Sequence, residues 1–255
     1  MNNMKLLEKM FDNPPPKPGV PDETKIPRIG TSRIPCTEEM LQEHLNKYVQ
    51  LLDSEGADET KIVRAEEIPQ DPRVILKCYH PKCPGYGRSG SCPPHFTGDF
   101  QKAKEYLGAY EWAITYRVNI PREGLRYLTS PSQIEAIRTK EYFHAIGSLL
   151  RYVYGKGDLV EQAAFYDGHY FAINCHFGPC LFQHCEKFGD CQEIKIGKCR
   201  FPFRARPSVE QSFSIDFLKL AAQLGWEYHM LGPCAFPEDF PKDYQPYFIG
   251  LVLIT

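Results

Sequence analysis

The chain is 255 residues long, with 42% hydrophobic residues, 24% charged residues and a formal net charge of −2. That balance suits a globular protein that builds a core without disulfides in its place. It excludes a whole-molecule field for DNA, RNA or an anionic membrane surface.

The opening run Met1–Phe11 is too charged for the apolar region of a secretory signal. No stretch approaches the roughly 20 apolar residues of a membrane-spanning helix, so membrane insertion is not expected. The expected location is the cytoplasm, where thiols stay reduced and clustered cysteines mean metal or catalysis. Residues 13–36 carry Pro14, Pro15, Pro16, Pro18, Pro21, Pro27 and Pro35 without apolar periodicity, and read as an extended arm. Thr37, Glu38 and Glu39, followed by Met40, Leu41, Leu45, Tyr48 and Leu52, predict a capped amphipathic helix. Short strands are expected at Ile62–Ile68 and Val74–Leu76, on either side of a turn at 69–72.

Phe100, Ala103 and Leu107 fall at helical spacing, and Trp112–Val118 reads as a buried strand. Ser132–Tyr154 is the clearest helix, with Ile134, Ile137, Tyr142, Ala145, Ile146, Leu149, Leu150 and Val153 on one face. Another opens at Ser208, with Gln211 completing a capping box; Phe213, Phe217, Leu220 and Leu224 make its face, and Gly225 ends it. Trp226–Leu231 and Phe248–Ile254 are expected as strands. The fold class is α/β or α+β: a single mixed sheet with flanking helices and two cysteine-rich loops. An arm plus helix is expected over 1–60, and a cysteine-rich metal-binding domain over 61–255.

Eight of the ten cysteines form two groups. Cys78, Cys83 and Cys92 make the first; Cys175, Cys180, Cys185, Cys191 and Cys199 make the second. Cys36 and Cys234 stand apart and read as isolated buried thiols. Converging thiolates on irregular, Gly- and Pro-rich loops suit iron–sulfur clusters. Cys83-Pro84, Cys92-Pro93-Pro94, Gly85, Gly87 and Gly178-Pro179-Cys180 supply such loops. Structural zinc is the competing metal, with His80, His95, His176 and His184 available as ligands. The chain lacks the Cys-x-x-Cys pairs common in zinc sites.

Four cysteines of the second group suffice for a closed [4Fe–4S] cluster, whereas the first group supplies three. Either Cys175 closes the first site or one iron stays open as a Lewis acid for a small-molecule substrate. Arg88, Arg200 and Arg204 are candidates for positive charge beside a cluster, and Arg206 for an anionic substrate. Tyr86 and His95 are candidate proton donors. No phosphate-binding glycine loop, dinucleotide fingerprint or acyl-transfer triad is visible.

The run Cys-x4-Cys-Pro-x-Tyr-Gly-x4-Cys-Pro-Pro from Cys78 resembles the first signature of a family of predicted metal-binding proteins, domain of unknown function 2284. So does the later Gly-Pro-Cys…Cys…Cys…Cys-Arg-x-Pro…Arg-Pro-Ser-x-Glu…Ile-Asp. The likeness spans roughly residues 62–231. It carries the family's cysteines onto Cys78, Cys83, Cys92, Cys180, Cys185, Cys191 and Cys199. The later block falls on Arg200, Pro202, Arg206, Pro207, Ser208, Glu210, Ile215 and Asp216. This sequence departs in the longer spacings of its second group, and Cys175 is additional.

The resulting expectation is an iron–sulfur redox enzyme, an oxidoreductase or lyase of anaerobic metabolism acting on a small molecule. The alternatives are an electron carrier or activator for a larger redox enzyme, and a zinc-stapled binding module. The expected partner is a ferredoxin-like donor or that larger enzyme, and the proline-rich arm leaves a homo-oligomer open.

Overall fold

In the computed structural model the described residues are 36–122, 140–206 and 208–255, without 81, 84, 179, 181–184, 186–187, 230–237 and 239; for 140–146 the backbone alone is described. The proline-rich arm, the helical start expected at Ser132, His184 and Cys234 lie outside them.

Helix α1 (Glu38–Ser54) starts where the sequence predicts it, with Thr37 Oγ1 accepting the Met40 amide at 3.2 Å. Leu41, Leu45, Tyr48 and Leu52 form its buried stripe. Strand β1 (Glu59–Arg64) ends earlier than expected, because residues 65–67 turn into a 3₁₀ helix whose Glu67 carboxylate accepts the Arg64 amide. The strand expected at Val74–Leu76 does not form. A 3₁₀ turn over Pro72–Ile75 runs into helix α2 (Leu76–Tyr79) instead. Asp71 accepts the Arg73 amide at 2.8 Å and Pro72 presets the first-turn backbone, so local capping outweighs the β-branched side chains.

Helix α3 (Phe100–Gly108) is capped by Asp99 and buries Ala103 and Leu107, and strand β2 spans Trp112–Asn119. Helix α4 (Lys140–Tyr166) extends three turns beyond the predicted Tyr154, and leads to a short, unanticipated strand β3 (Ile173–Cys175). Helix α5 covers Gln192–Ile196.

The helix expected from Ser208 is two helices, α6 (Val209–Phe213) and α7 (Phe217–Gln223). Ser214 breaks them in the left-handed region at φ 50°, Ile215 bridges to Gln70, and Asp216 caps α7. The capping box at Ser208 is absent because Gln211 spends its side chain elsewhere, as described below. Gly225 ends α7 as predicted, at φ 73°. Trp226–His229, the described part of the strand expected at Trp226–Leu231, is not a strand. Trp226 packs edge-on against Tyr247 instead, ring centroids 6.2 Å apart. Strand β4 is Tyr247–Ile254.

The four strands form one sheet in the order β1-β2-β4-β3, antiparallel at every pairing, which puts the fold at the α+β side of the expectation. Both faces are covered, and the period-two alternation sorts the side chains between them. Ile114, Tyr116, Val118, Val252 and Ile254 join α1 and α4 in one core. Ala113, Ile249, Leu251 and Leu253 join α6, α7 and Cys175 in the other. Burial on two sides explains why β4 reads as a continuous apolar run. Gly250 has the space of a Cβ filled by the Tyr116 ring, 2.0 Å from where that atom would sit. The first cysteine group runs from Cys78 in α2 into the loop before α3, and the second starts at Cys175, the last residue of edge strand β3.

Candidate metal centre

In the first group, α2 carries Cys78, and the chain folds back so that the Cys83 amide donates to the Cys78 carbonyl at 3.3 Å. The Cys78 and Cys83 thiols act on one another, and the amides of Gly85 and Tyr86 lie beside Cys83. Cys83 is therefore drawn below the ordinary thiol range and Cys78 is pushed above it. Cys92 is buried and pushed up to about 12 by that burial, with the charges of Cys83, Glu210 and Cys180 adding to it.

Cys180 belongs to the second group in sequence and sits beside the first in space. Ser89 Oγ lies 3.6 Å from its sulfur, and its amide donates to Ser91 Oγ at 3.4 Å. Gly90, between those serines, donates its amide to Cys191 Sγ at 3.3 Å. The Ser89-Gly90-Ser91 segment of the first loop is thus the joint between the groups. Cys185 feels both Cys180 and Cys191 and accepts from Arg200, although burial is the largest influence and raises its thiol. The Phe201 amide donates to Cys199 Sγ at 3.3 Å. Amides aimed at sulfur are what thiolate-held clusters use to hold and tune their charge. All nine cysteines among the described residues are free of disulfides.

Cys175 is not brought to either group. It closes β3 inside the second core, 3% exposed, and its raised thiol answers first to burial and then to Glu161 and Arg206.

Arg200 sits at the second group: its guanidinium bonds the Asp190 carbonyl and carboxylate and lies 4.5 Å over the Phe188 ring, besides reaching Cys185. Arg206 is committed to Glu161 on α4, whose other oxygen accepts the Asn174 amide of β3 at 2.7 Å. It therefore holds the edge strand. Arg88, Arg204 and His95 are exposed. Tyr86 stays at the first group through its amide bond to the Cys83 carbonyl, its ring edge-on to Tyr79 at 5.7 Å. His80 is exposed; His176 is buried against Asp158 and Asn174 and stacked on Tyr154.

Two residues at the first group carry no signal as ligands in the sequence. Gln211 on α6 donates to Cys78 Sγ at 3.3 Å and accepts the Gly98 amide at 3.0 Å. Gly98 passes so close that a Cβ there would sit 1.7 Å from the Gln211 carbonyl oxygen. Glu210 faces the same thiols. Burial pushes its carboxyl up, and its Oε2 is sealed from solvent with no hydrogen-bond partner among the described residues. Cys36 is exposed, not buried as expected, and stands beside His44 and His169.

The donor set is chemically right for a soft or borderline metal: seven thiols on two interlocked loops, with backbone amides turned toward the sulfurs of Cys191 and Cys199. No helix among the described residues is long and apolar enough to cross a membrane. Compared with known proteins, the chain matches the family model described as "Predicted metal-binding protein (DUF2284)" over residues 61–254. No curated protein and no solved structure matches it.

Proposed function

Because the chain belongs to this family of predicted metal-binding proteins, we propose that its cysteine groups hold iron–sulfur clusters and serve a redox reaction. The observation that carries the reading is the joint at Ser89-Gly90-Ser91, which brings Cys180 and Cys191 to the loop of Cys78, Cys83 and Cys92. Cys78, Cys83 and Cys92 would hold one cluster and Cys185, Cys191 and Cys199 the other, with Cys180 facing both sides. Seven thiolates are one short of the eight that two four-iron clusters take, which leaves one iron without a cysteine from these loops. Such an iron, when bound, supplies a Lewis acid for a substrate oxygen or sulfur.

The chain's own residues have separable tasks in this reading. The amides of Gly85, Tyr86, Gly90 and Phe201 lower the charge carried by the sulfurs. Arg200 adds a positive charge at Cys185 and is held in place by Asp190. Gln211 orients Cys78, and Glu210 offers an unbonded carboxyl oxygen beside the first group.

A second reading, an electron carrier or activator docked on a larger redox enzyme, draws on the apolar surface around the second group. Phe188, Ile194, Ile196 and Phe203 are all exposed there, Phe203 by 93%. Anaerobically purified protein should be brown and hold about eight irons per chain. Colourless protein with stoichiometric zinc overturns both readings. Electron paramagnetic resonance of the reduced protein separates them: a signal altered by added small-molecule substrates marks the enzyme, and one indifferent to all of them marks the carrier.

A further inference from the structure

Three residues far apart in the sequence meet where α1 begins and α4 has just ended. Cys36 directly precedes the Thr37 cap of α1, His44 lies two turns into that helix, and His169 follows the end of α4. Their ligand atoms, one sulfur and two ring nitrogens, all lie within 4.8 Å of one another. His44 Nδ1 and His169 Nε2 are 3.0 Å apart, with the rings edge-on at 89°.

That separation is close to what two imidazoles on one small ion require. Zinc–nitrogen bonds of about 2.0–2.1 Å at a tetrahedral angle put the nitrogens roughly 3.3 Å apart, and a thiolate completes such a set at about 2.3 Å from the metal.

The second nitrogen of His169 is already engaged as a bound histidine's would be. His169 Nδ1 lies against the main-chain oxygen of Thr255, so it carries the proton and donates it there. Nε2 is then left with its lone pair facing His44 and Cys36. A backbone carbonyl that fixes the ring tautomer in this way is the usual outer support of a metal-bound histidine. His169 is 5% exposed, which removes competing water from its lone pair. Asp167 adds negative charge at the same place, where it influences both Cys36 and His169 while bonded to Lys47 and Tyr48.

We propose that Cys36, His44 and His169 form a separate site for one zinc-like divalent ion, with the fourth position left to water. Binding breaks the His44–His169 hydrogen bond. The Cys36 thiol releases its proton, and His44 shifts its remaining proton to Nε2 so that Nδ1 binds the metal. The ion ties the segment before α1 to the end of α4 and, through Thr255, to the end of β4. Cys36 and His44 precede residue 61, where the family match begins, and His169 lies within the matched span. The site shares no ligand with the cysteine groups, and its test is independent of what they hold.

The test compares wild-type full-length protein with Cys36→Ser and His44→Gln, both at solvent-accessible positions, each titrated anaerobically with Co²⁺ and then Zn²⁺. Circular dichroism melts identify folded variants. The wild type should bind one more equivalent of Co²⁺ than either variant. The wild-type-minus-variant spectrum should show thiolate-to-cobalt and tetrahedral bands, and Zn²⁺ should erase them. Iron content should be equal in all three proteins. Folded variants that match the wild type in Co²⁺ stoichiometry and spectrum overturn the site. If instead a variant fails to fold, Cys36→Ala with the same titration replaces it, and an unchanged stoichiometry there overturns the site equally.

Discussion

The backbone amide of Gly90 donates to the sulfur of Cys191 at 3.3 Å, across 101 residues of chain. This bond joins the loop of the first cysteine group to a ligand candidate of the second. Glycine is suited to the position, because a Cβ would sit 2.6 Å from Cγ of Glu193. Glu193 is a flexible side chain in α5 that can give way. Gly90→Ala is therefore expected to keep its metal, whereas Gly90→Pro removes the donor and is expected to lose about half of it, the share of one group. Metal analysis alongside a thermal melt reads the difference, and equal metal in both variants would refute the role of this amide.

The cysteines should divide by place and not by sequence neighbourhood. Cys92→Ala or Cys191→Ala is expected to strip metal and colour. Cys175→Ala should keep both and lose on the order of 1 kcal/mol of stability, the cost of a small cavity in the core beside Leu251. Metal stoichiometry of the three variants decides it, and loss of metal in Cys175→Ala would return that residue to the ligand set.

Arg206 is expected to act on stability. Its guanidinium pairs with Glu161, both side chains 20% exposed, and Glu161 in turn holds the Asn174 amide of β3. Arg206→Met leaves a half-shielded carboxylate and should cost about 3 kcal/mol, of which the double variant Arg206→Met/Glu161→Gln recovers a part. Denaturant unfolding of the wild type, the two singles and the double gives the coupling. An additive cycle would show that the pair does not interact.

The pH dependence of stability has a definite sign at Glu59. Its carboxyl is held below the ordinary range, first by the Trp226 side chain and then by Lys61 and Arg117. A folded-state value below the unfolded value of about 4.3 stabilises the protein above that pH and is lost as pH falls through the lowered value. Since the group is about a third exposed, solvent screening keeps the effect under about 1 kcal/mol. Wild type should exceed Glu59→Gln in stability near neutral pH, with the gap closing on acidification below about pH 4. A gap that widens on acidification reverses the sign.

Where the determinants are local, the sequence was enough. Thr37 and the Leu41–Leu45–Tyr48–Leu52 stripe predict α1, Phe100–Leu107 predicts α3, and the apolar runs predict β2 and β4. Periodicity and caps act within a few residues, so they survive translation into structure. The predicted strand at Val74 failed for the same reason, since Asp71 and Pro72 are also local and stronger. The capping box at Ser208 failed because Gln211 answers to Cys78 and Gly98, residues more than 110 positions away.

The sequence by itself therefore determined that two loops carry a metal-suited set of thiols, because loop-forming glycines and prolines sit beside the cysteines. Only the tertiary structure decided which thiols meet. Cys175 is drawn into the core by its pairing with Leu251, Cys180 crosses to the first group, and Cys36 finds His44 and His169. Spacing along a chain records which residues are neighbours before folding. Which loops converge is set afterwards by the order of the strands and by helices packing on both faces of the sheet.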